Sequence, residues 1–414
     1  MKLLTLLLAL GAGIGLAAQQ KAVVPASGPA PVGPYSPGVI ADGYLYVSGQ
    51  GAKAADGQMP ATFEAQAQQT LENVKAVVEA AGLTLDHVVY THVYLEDLNN
   101  VAALDRVYAR YFPADPPARA MIGVARLPGT PVEINAVAVL NREGRTPVRL
   151  QGWDRSQTFS PGMLTHDRLF ISSLPAGTVP PSVGTVPLTE QGGLSPDPGA
   201  EVDAALDNFK AVTEAAGLTL AHVVFVNPYL TSSIPSNVMN ERYAKRFEFG
   251  NTPARATISV SALPEGHIVY TGVAVRDLSK RKAIRPTNMA PSPTASPCVF
   301  AGDTLYCSAK SGFIPGPLSG VYAATVEHQL RQTMRNQLDN FEEAGLTFAN
   351  VVAANVYLDN VDDFARMNAI YTQYFTGPVK PARTTVQQVA PGKRDPDDKG
   401  SYPTLEQVSF IAVR

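Results

Sequence analysis

Cysteine is almost absent. Cys298 and Cys307 are the only two in 414 residues, which excludes a disulfide-dense scaffold and a Cys-rich zinc module. An excess of positive charge is lacking too: 33 Lys and Arg face 36 Asp and Glu, a net charge of -3. Nucleic-acid binding rests on Lys and Arg neutralising phosphates, so no nucleic-acid partner is expected. The six histidines form no H-E-x-x-H pattern and no Cys/His cluster, so no metal site is expected. No Walker loop, nucleophile elbow or dinucleotide fingerprint occurs past the N-terminus, and no cofactor is expected. Long apolar runs are missing except for one, Leu3 to Leu16, which follows Lys2 and precedes Ala17 and Ala18. It falls short of the roughly 20 residues of a transmembrane helix and has the layout of a secretory signal peptide. The expectation is a signal peptide over 1–18, cut after Ala17 or Ala18. The chain would then be exported, periplasmic or secreted, and free of the membrane after cleavage; an uncleaved anchor is the alternative.

What the chain has is repetition. "EAAGLTLDHVVYTHVYLED" begins at Glu79, "EAAGLTLAHVVFVNPYLTS" at Glu214 and "EEAGLTFANVVAANVYLDN" at Glu342. "PPAR", "TPAR" and "KPAR" end at Arg119, Arg255 and Arg383. "YSPG", "FSPG" and "ASPC" begin at Tyr35, Phe159 and Ala295. The period far exceeds the 20–50 residues of a solenoid repeat, so each unit is a domain with its own core. The units are read as 21–141, 147–277 and 286–414, with polar linkers at 141–147 and 278–292. Loop insertions are read at about 175–199 in unit two and before the last strand of unit three. The basic run Lys280-Arg281-Lys282 is read as solvated linker.

Each unit has one order of elements. In unit one a hairpin turns at Asp42-Gly43. A helix follows with Ala67, Leu71, Val74 and Val78 on one stripe, and Gly82 suits its stop. Then come a strand, a second amphipathic helix and two closing strands. The pattern β-β-α-β-α-β-β is an α+β layout, a mixed sheet with two helices on one face.

"GPYSPGVIADGYLYVSGQG", "ENVKAVVEAAG", "PPARAMIGVARLP" and "VEINAVAV" resemble the RidA/YjgF family, the reactive-intermediate deaminases also labelled endoribonuclease L-PSP. The match covers unit one end to end and, more weakly, units two and three. The resemblance implies a chorismate-mutase-like fold, sites in clefts between neighbouring subunits of a trimer, and hydrolysis of 2-imino acids and their enamines to 2-oxo acids and ammonia without a cofactor. Three copies in one chain imply an intramolecular pseudo-trimer, monomeric in solution, with a small carboxylate as its partner.

Carried over residue by residue, the resemblance makes Arg119 the substrate-carboxylate anchor and Glu133 the acid that positions water. Tyr35, Ser48 and Gly49 line the pocket, Met121 offers a backbone contact, and Asp105 stands where many members have Asn. An arginine fork grips a carboxylate through two hydrogen bonds, which suits such a substrate. The bland alternatives are a salt-bridge role for Arg119 and a solvated strand position for Glu133. Arg255, Arg383, Ser172 and Ser308 mark vestigial sites, because the acid position reads Val269 in unit two and either Gln407 or Glu406 in unit three. One competent site at most is expected, built around Arg119 and Glu133. If sites straddle units, the neighbour must supply part of it. Cys298 and Cys307 lie opposite each other if Gly302-Asp303 is the turn, at the roughly 4.5 Å Cα spacing of a non-hydrogen-bonded pair. A disulfide is then expected; a different register leaves two thiols. A non-catalytic carboxylate-binding protein is the competing reading. An endoribonuclease, the older family label, is disfavoured by the missing basic groove.

Overall fold

The computed structural model describes residues 20–151, 158–175, 197–316 and 320–414. The expected signal peptide and most of the unit-two insertion lie outside the described residues.

Unit one opens with the short edge strand Lys21–Val23, then the hairpin strands Gly38–Ala41 and Tyr44–Gln50. Asp42 and Gly43 between them have φ of 46° and 77°. Two successive left-handed residues match the twist of the flanking strands, which is why an Asp-Gly pair sits there. Thr62 caps the helix Phe63–Ala80, accepting a hydrogen bond from the Ala65 N–H. The strand Val88–Leu95, the helix Val101–Tyr111 and the strands Ala118–Gly123 and Val132–Val139 complete the unit. Val132–Val139 lies between Tyr44–Gln50 and Val88–Leu95, antiparallel to both. Ala118–Gly123 adds in parallel beyond Val88–Leu95, reached through the helix. The expected element order therefore holds, with an extra edge strand at the front. In unit three that extra strand is Arg281–Ile284, paired with Cys298–Ala301, so Arg281 and Lys282 of the basic run belong to a sheet edge, while Lys280 ends the short helical turn before it. Cys298 and Cys307 stand directly opposite across their hairpin and are disulfide-bonded.

Each sheet buries both faces. One carries the unit's two helices over a core such as Leu45, Leu71, Val74, Val93 and Ile134 in unit one. The other faces meet in a shared centre that combines Val39 and Tyr46 with Phe170 and Val224 and with Val299 and Val352. This explains why the strands read as almost continuous apolar runs: neither face meets water.

The ring is closed by one contact repeated three times. The N–H of Arg119 donates to Ser172 Oγ, that of Arg255 to Ser308 Oγ and that of Arg383 to Ser48 Oγ, each at 2.8 Å. Each serine in turn donates to a carbonyl of its own unit, at Ser160, Ser296 and Ser36. Unit one thus joins two, two joins three, and three returns to one: a head-to-tail interface that closes after three copies. The ring is not uniform. Tyr44, Arg168 and Thr304 hold equivalent places four residues before those serines. Arg168, 1% exposed, bonds Asp42 Oδ2 at 2.7 Å and Thr304 Oγ1 at 2.9 Å, and stacks on Tyr44. One buried cation so ties all three units through partners that differ in each.

Candidate functional site

Because the arginine and the serine hairpin come from neighbouring units, each cleft mixes two units. The arginine comes from one unit, and the residue after the serine and the acid position come from the next. Register fixes the acid position. Glu133 pairs with Tyr94, Val269 with Tyr229 and Gln407 with Tyr357, so Gln407, not Glu406, is the counterpart in unit three. Glu406 instead lies in the core of unit three, where Thr333 Oγ1 donates to it.

Arg119 and Glu133 consequently lie in different clefts. Arg119 faces unit two, between the rings of Tyr108 and Phe159, and is ion-paired with Asp105 at 2.6 Å. Ser172 and Ser173 bond its backbone, and the acid position there is Val269. Met121 packs into the helix-side core of unit one. In this cleft the cation is already neutralised by Asp105, and a valine stands where the first cleft has its acid.

Glu133 meets Arg383 of unit three. Tyr35, Gly49, Glu133, Phe364, Arg383 and Thr385 line one cavity of about 100 Å³, several times the 10–15 Å³ or so that one water needs. Arg383 is 4% exposed and lies under the rings of Tyr35, Phe364 and Tyr371, at 5.2, 5.6 and 4.9 Å. Its Nη1 is buried with no hydrogen-bond partner among the described residues. Asn368 occupies the helix position held by Asp105 in unit one, so this cleft has a neutral amide where Arg119 meets a carboxylate. Gly33 comes so close that a Cβ there would lie 2.7 Å from Arg383 Nη2 and 3.3 Å from Asn368.

Glu133 Oε1 is likewise buried and unpartnered. Burial pushes the carboxyl up to about 8, although the Arg383 charge and the Thr385 N–H pull it down. Gly49 makes room for it: a Cβ there would sit 2.0 Å from Glu133 Oε1. Hence glycine and acid go together. Ser173 accompanies Val269, and Ala309 accompanies Gln407.

The third cleft joins Arg255 to Ser308, Ala309, Lys310 and Gln407. Arg255 donates to Asn240 Oδ1 at 2.8 Å and covers the Tyr243 ring. No group of three or more His, Cys, Asp or Glu is placed to hold a metal among the described residues.

Of the residues that sequence reasoning groups in one pocket, Tyr35, Gly49 and Glu133 line this cavity, while Ser48 is engaged in the ring contact with the Arg383 N–H. Sequence reasoning set Arg383 aside as vestigial and did not single out Phe364, Asn368 or Thr385. The aligned repeats held the signal for Asn368 and Thr385, which stand at the places of Asp105 and Met121. Chemically, the cleft between units one and three offers an uncommitted guanidinium for a carboxylate. Beside it stands a carboxyl that still holds its proton near neutrality, and both are shielded from water.

The Endoribonuclease L-PSP family model matches residues 26–140, 170–270 and 287–392. A RutC family protein of Synechocystis is 43% identical over 127 residues, 29% of this chain and 96% of its own length. The 2-iminobutanoate/2-iminopropanoate deaminase of Escherichia coli K12 is 42% identical over 124 residues, 29% of this chain and 97% of its own. The crystal structure of the YjgF gene product from E. coli matches at 41% identity and a TM-score of 0.29, over 29% of this chain and 99% of that one. With the match recurring in all three thirds, the chain belongs to the RidA/YjgF family, as three tandem copies of the Endoribonuclease L-PSP domain.

Proposed function

We propose that this protein hydrolyses 2-imino acids to 2-oxo acids and ammonia at one site, the cleft between units one and three. The observation that carries the reading is the meeting of Glu133 with Arg383, both buried and each with an unpartnered polar atom. Arg383 binds the substrate carboxylate through its planar fork. Glu133, protonated at the start, gives its proton to the imine nitrogen. Water adds to C2 and returns a proton to the Glu133 carboxylate. The carboxyl then protonates the amine, ammonia leaves, and the new hydroxyl yields its proton to Glu133 as the C=O forms. One carboxyl thus serves as acid and base in turn, for which a pKa near the working pH is suited. The proton count closes: imine and water in, ketone and ammonia out.

The test is release of ammonia and 2-oxo acid from 2-iminopropanoate and 2-iminobutanoate generated in situ. The reading expects a rate above the spontaneous background that falls at least a hundredfold in Glu133→Gln, within the roughly 10²–10⁴ range of general acid–base catalysis. No acceleration by the parent chain refutes it. Residues 1–18 support export as part of the proposal, checked by the N-terminal sequence of protein recovered from the periplasm or medium. Fusion of the ring supports a monomer; light scattering at a multiple of 43.9 kDa refutes it.

A further inference from the structure

The cleft between units two and three is built differently from the other two. Its cavity of about 310 Å³ is lined by Arg255, Thr257, Ser292, Ala309, Lys310 and Gln407 among others, and no Asp or Glu is in its wall among the described residues. Among the described residues the Arg255 side chain has only neutral hydrogen-bond partners, Asn240 Oδ1 at 2.8 Å and Met239 Sδ at 3.8 Å. Lys310 pairs with Val408 through its backbone, but its side chain makes no ion pair or hydrogen bond among the described residues. Asp339, the acid that acts on it electrostatically, is held by Arg335 at 2.9 Å. Burial lowers the pKa of both cations, so both are held where positive charge is short of compensation. Thr257 Oγ1 is buried and unpartnered. In unit one the place of Lys310 is taken by Gln50, whose amide bonds Ser48 O at 3.1 Å. A lysine at this place is therefore peculiar to unit three; the Arg383 cleft also has a second cation, Lys53, but there it shares the wall with Glu133.

We propose that the cleft between units two and three binds a small organic dianion and does not turn it over. Arg255 grips one carboxylate, and Lys310 neutralises the second anionic group. A monoanion would satisfy Arg255 alone and leave Lys310 partly buried and uncompensated. Gln407, an amide where the first cleft has Glu133, can orient the ligand by hydrogen bonds but cannot shuttle protons. A dicarboxylate and a phosphorylated compound share the required chemistry.

Isothermal titration of the full chain carrying Arg383→Gln, which removes the carboxylate anchor of the other cleft, tests this at low ionic strength with succinate, butyrate and inorganic phosphate. Succinate is expected to bind about tenfold or more tighter than butyrate, the gain of one partly desolvated charge pair. Lys310→Gln restores the residue type of unit one at that place, so the fold tolerates it, and it should bring succinate to within about twofold of butyrate. Arg255→Gln should abolish both. Phosphate binding that is lost in Lys310→Gln would point to phosphorylated ligands, and its absence to dicarboxylates. Equal affinity for succinate and butyrate, or a preference that survives Lys310→Gln, overturns the proposal.

Discussion

Exchanging two arginines separates the present assignment from the one a single repeat suggests. Arg383→Ala removes the fork that would hold the substrate carboxylate. Each charge-assisted hydrogen bond contributes about 1.5–3 kcal/mol, so two contribute about 3–6 kcal/mol. At about 1.4 kcal/mol per factor of ten, kcat/KM should fall by roughly 10² to 10⁴. Arg383→Lys keeps the charge without the fork and should fall in between. Arg119→Ala should leave kcat/KM within about twofold, because Arg119 faces unit two and is committed to Asp105. Its cost lies in stability. Asp105 is 31% exposed and can be solvated again, so about 1–3 kcal/mol is expected from the lost pair and the lost ring contacts. The assay is 2-oxo acid release above background, beside a thermal melt of each variant. Activity lost in Arg119→Ala and kept in Arg383→Ala, with both folded, would refute the assignment.

Further consequences follow from the same geometry. Gly49→Ala places a methyl 2.0 Å from Glu133 Oε1 and should cut kcat/KM at least about tenfold by displacing the carboxyl, whereas Ala309→Gly should not change it. Since Glu133 works from its protonated form and titrates at about 8, kcat/KM should be level below that pH and fall as pH rises through it. The same profile on Glu133→Gln should lose this limb. Glu406 also keeps its proton up to about 8 in the fold, against 4.5 for an ordinary glutamate. Its contribution to stability is therefore full below 4.5 and is lost as pH rises towards 8. Glu406→Gln should lessen the decline in melting temperature across that window by several degrees. Breaking the disulfide with Cys298→Ser and Cys307→Ser, nine residues apart, should cost about 2–3 kcal/mol by loop-closure entropy, read from denaturant midpoints.

Sequence alone determined the repeating architecture, because periodicity and turn chemistry are local. Asp42-Gly43 dictates its hairpin, Thr62 and Gly82 bound their helix, and the alternation of elements forces a sheet with helices on one face. The opposed cysteines were legible for the same reason: once the turn at Gly302-Asp303 is fixed, the register of a two-residue hairpin follows. Half of the candidate site was legible too, since Tyr35, Gly49 and Glu133 share one unit. The other half was not. Arg383 lies 250 positions from Glu133 in the chain, and its equivalence to Arg119 in every repeat made the nearer arginine the natural partner. Only the closed ring decides otherwise. Its head-to-tail contacts pass each arginine to the next unit's hairpin, so the acid of unit one is served by the arginine of unit three. The choice between Gln407 and Glu406 depended likewise on strand register against Tyr357, which residue counting within one strand cannot fix.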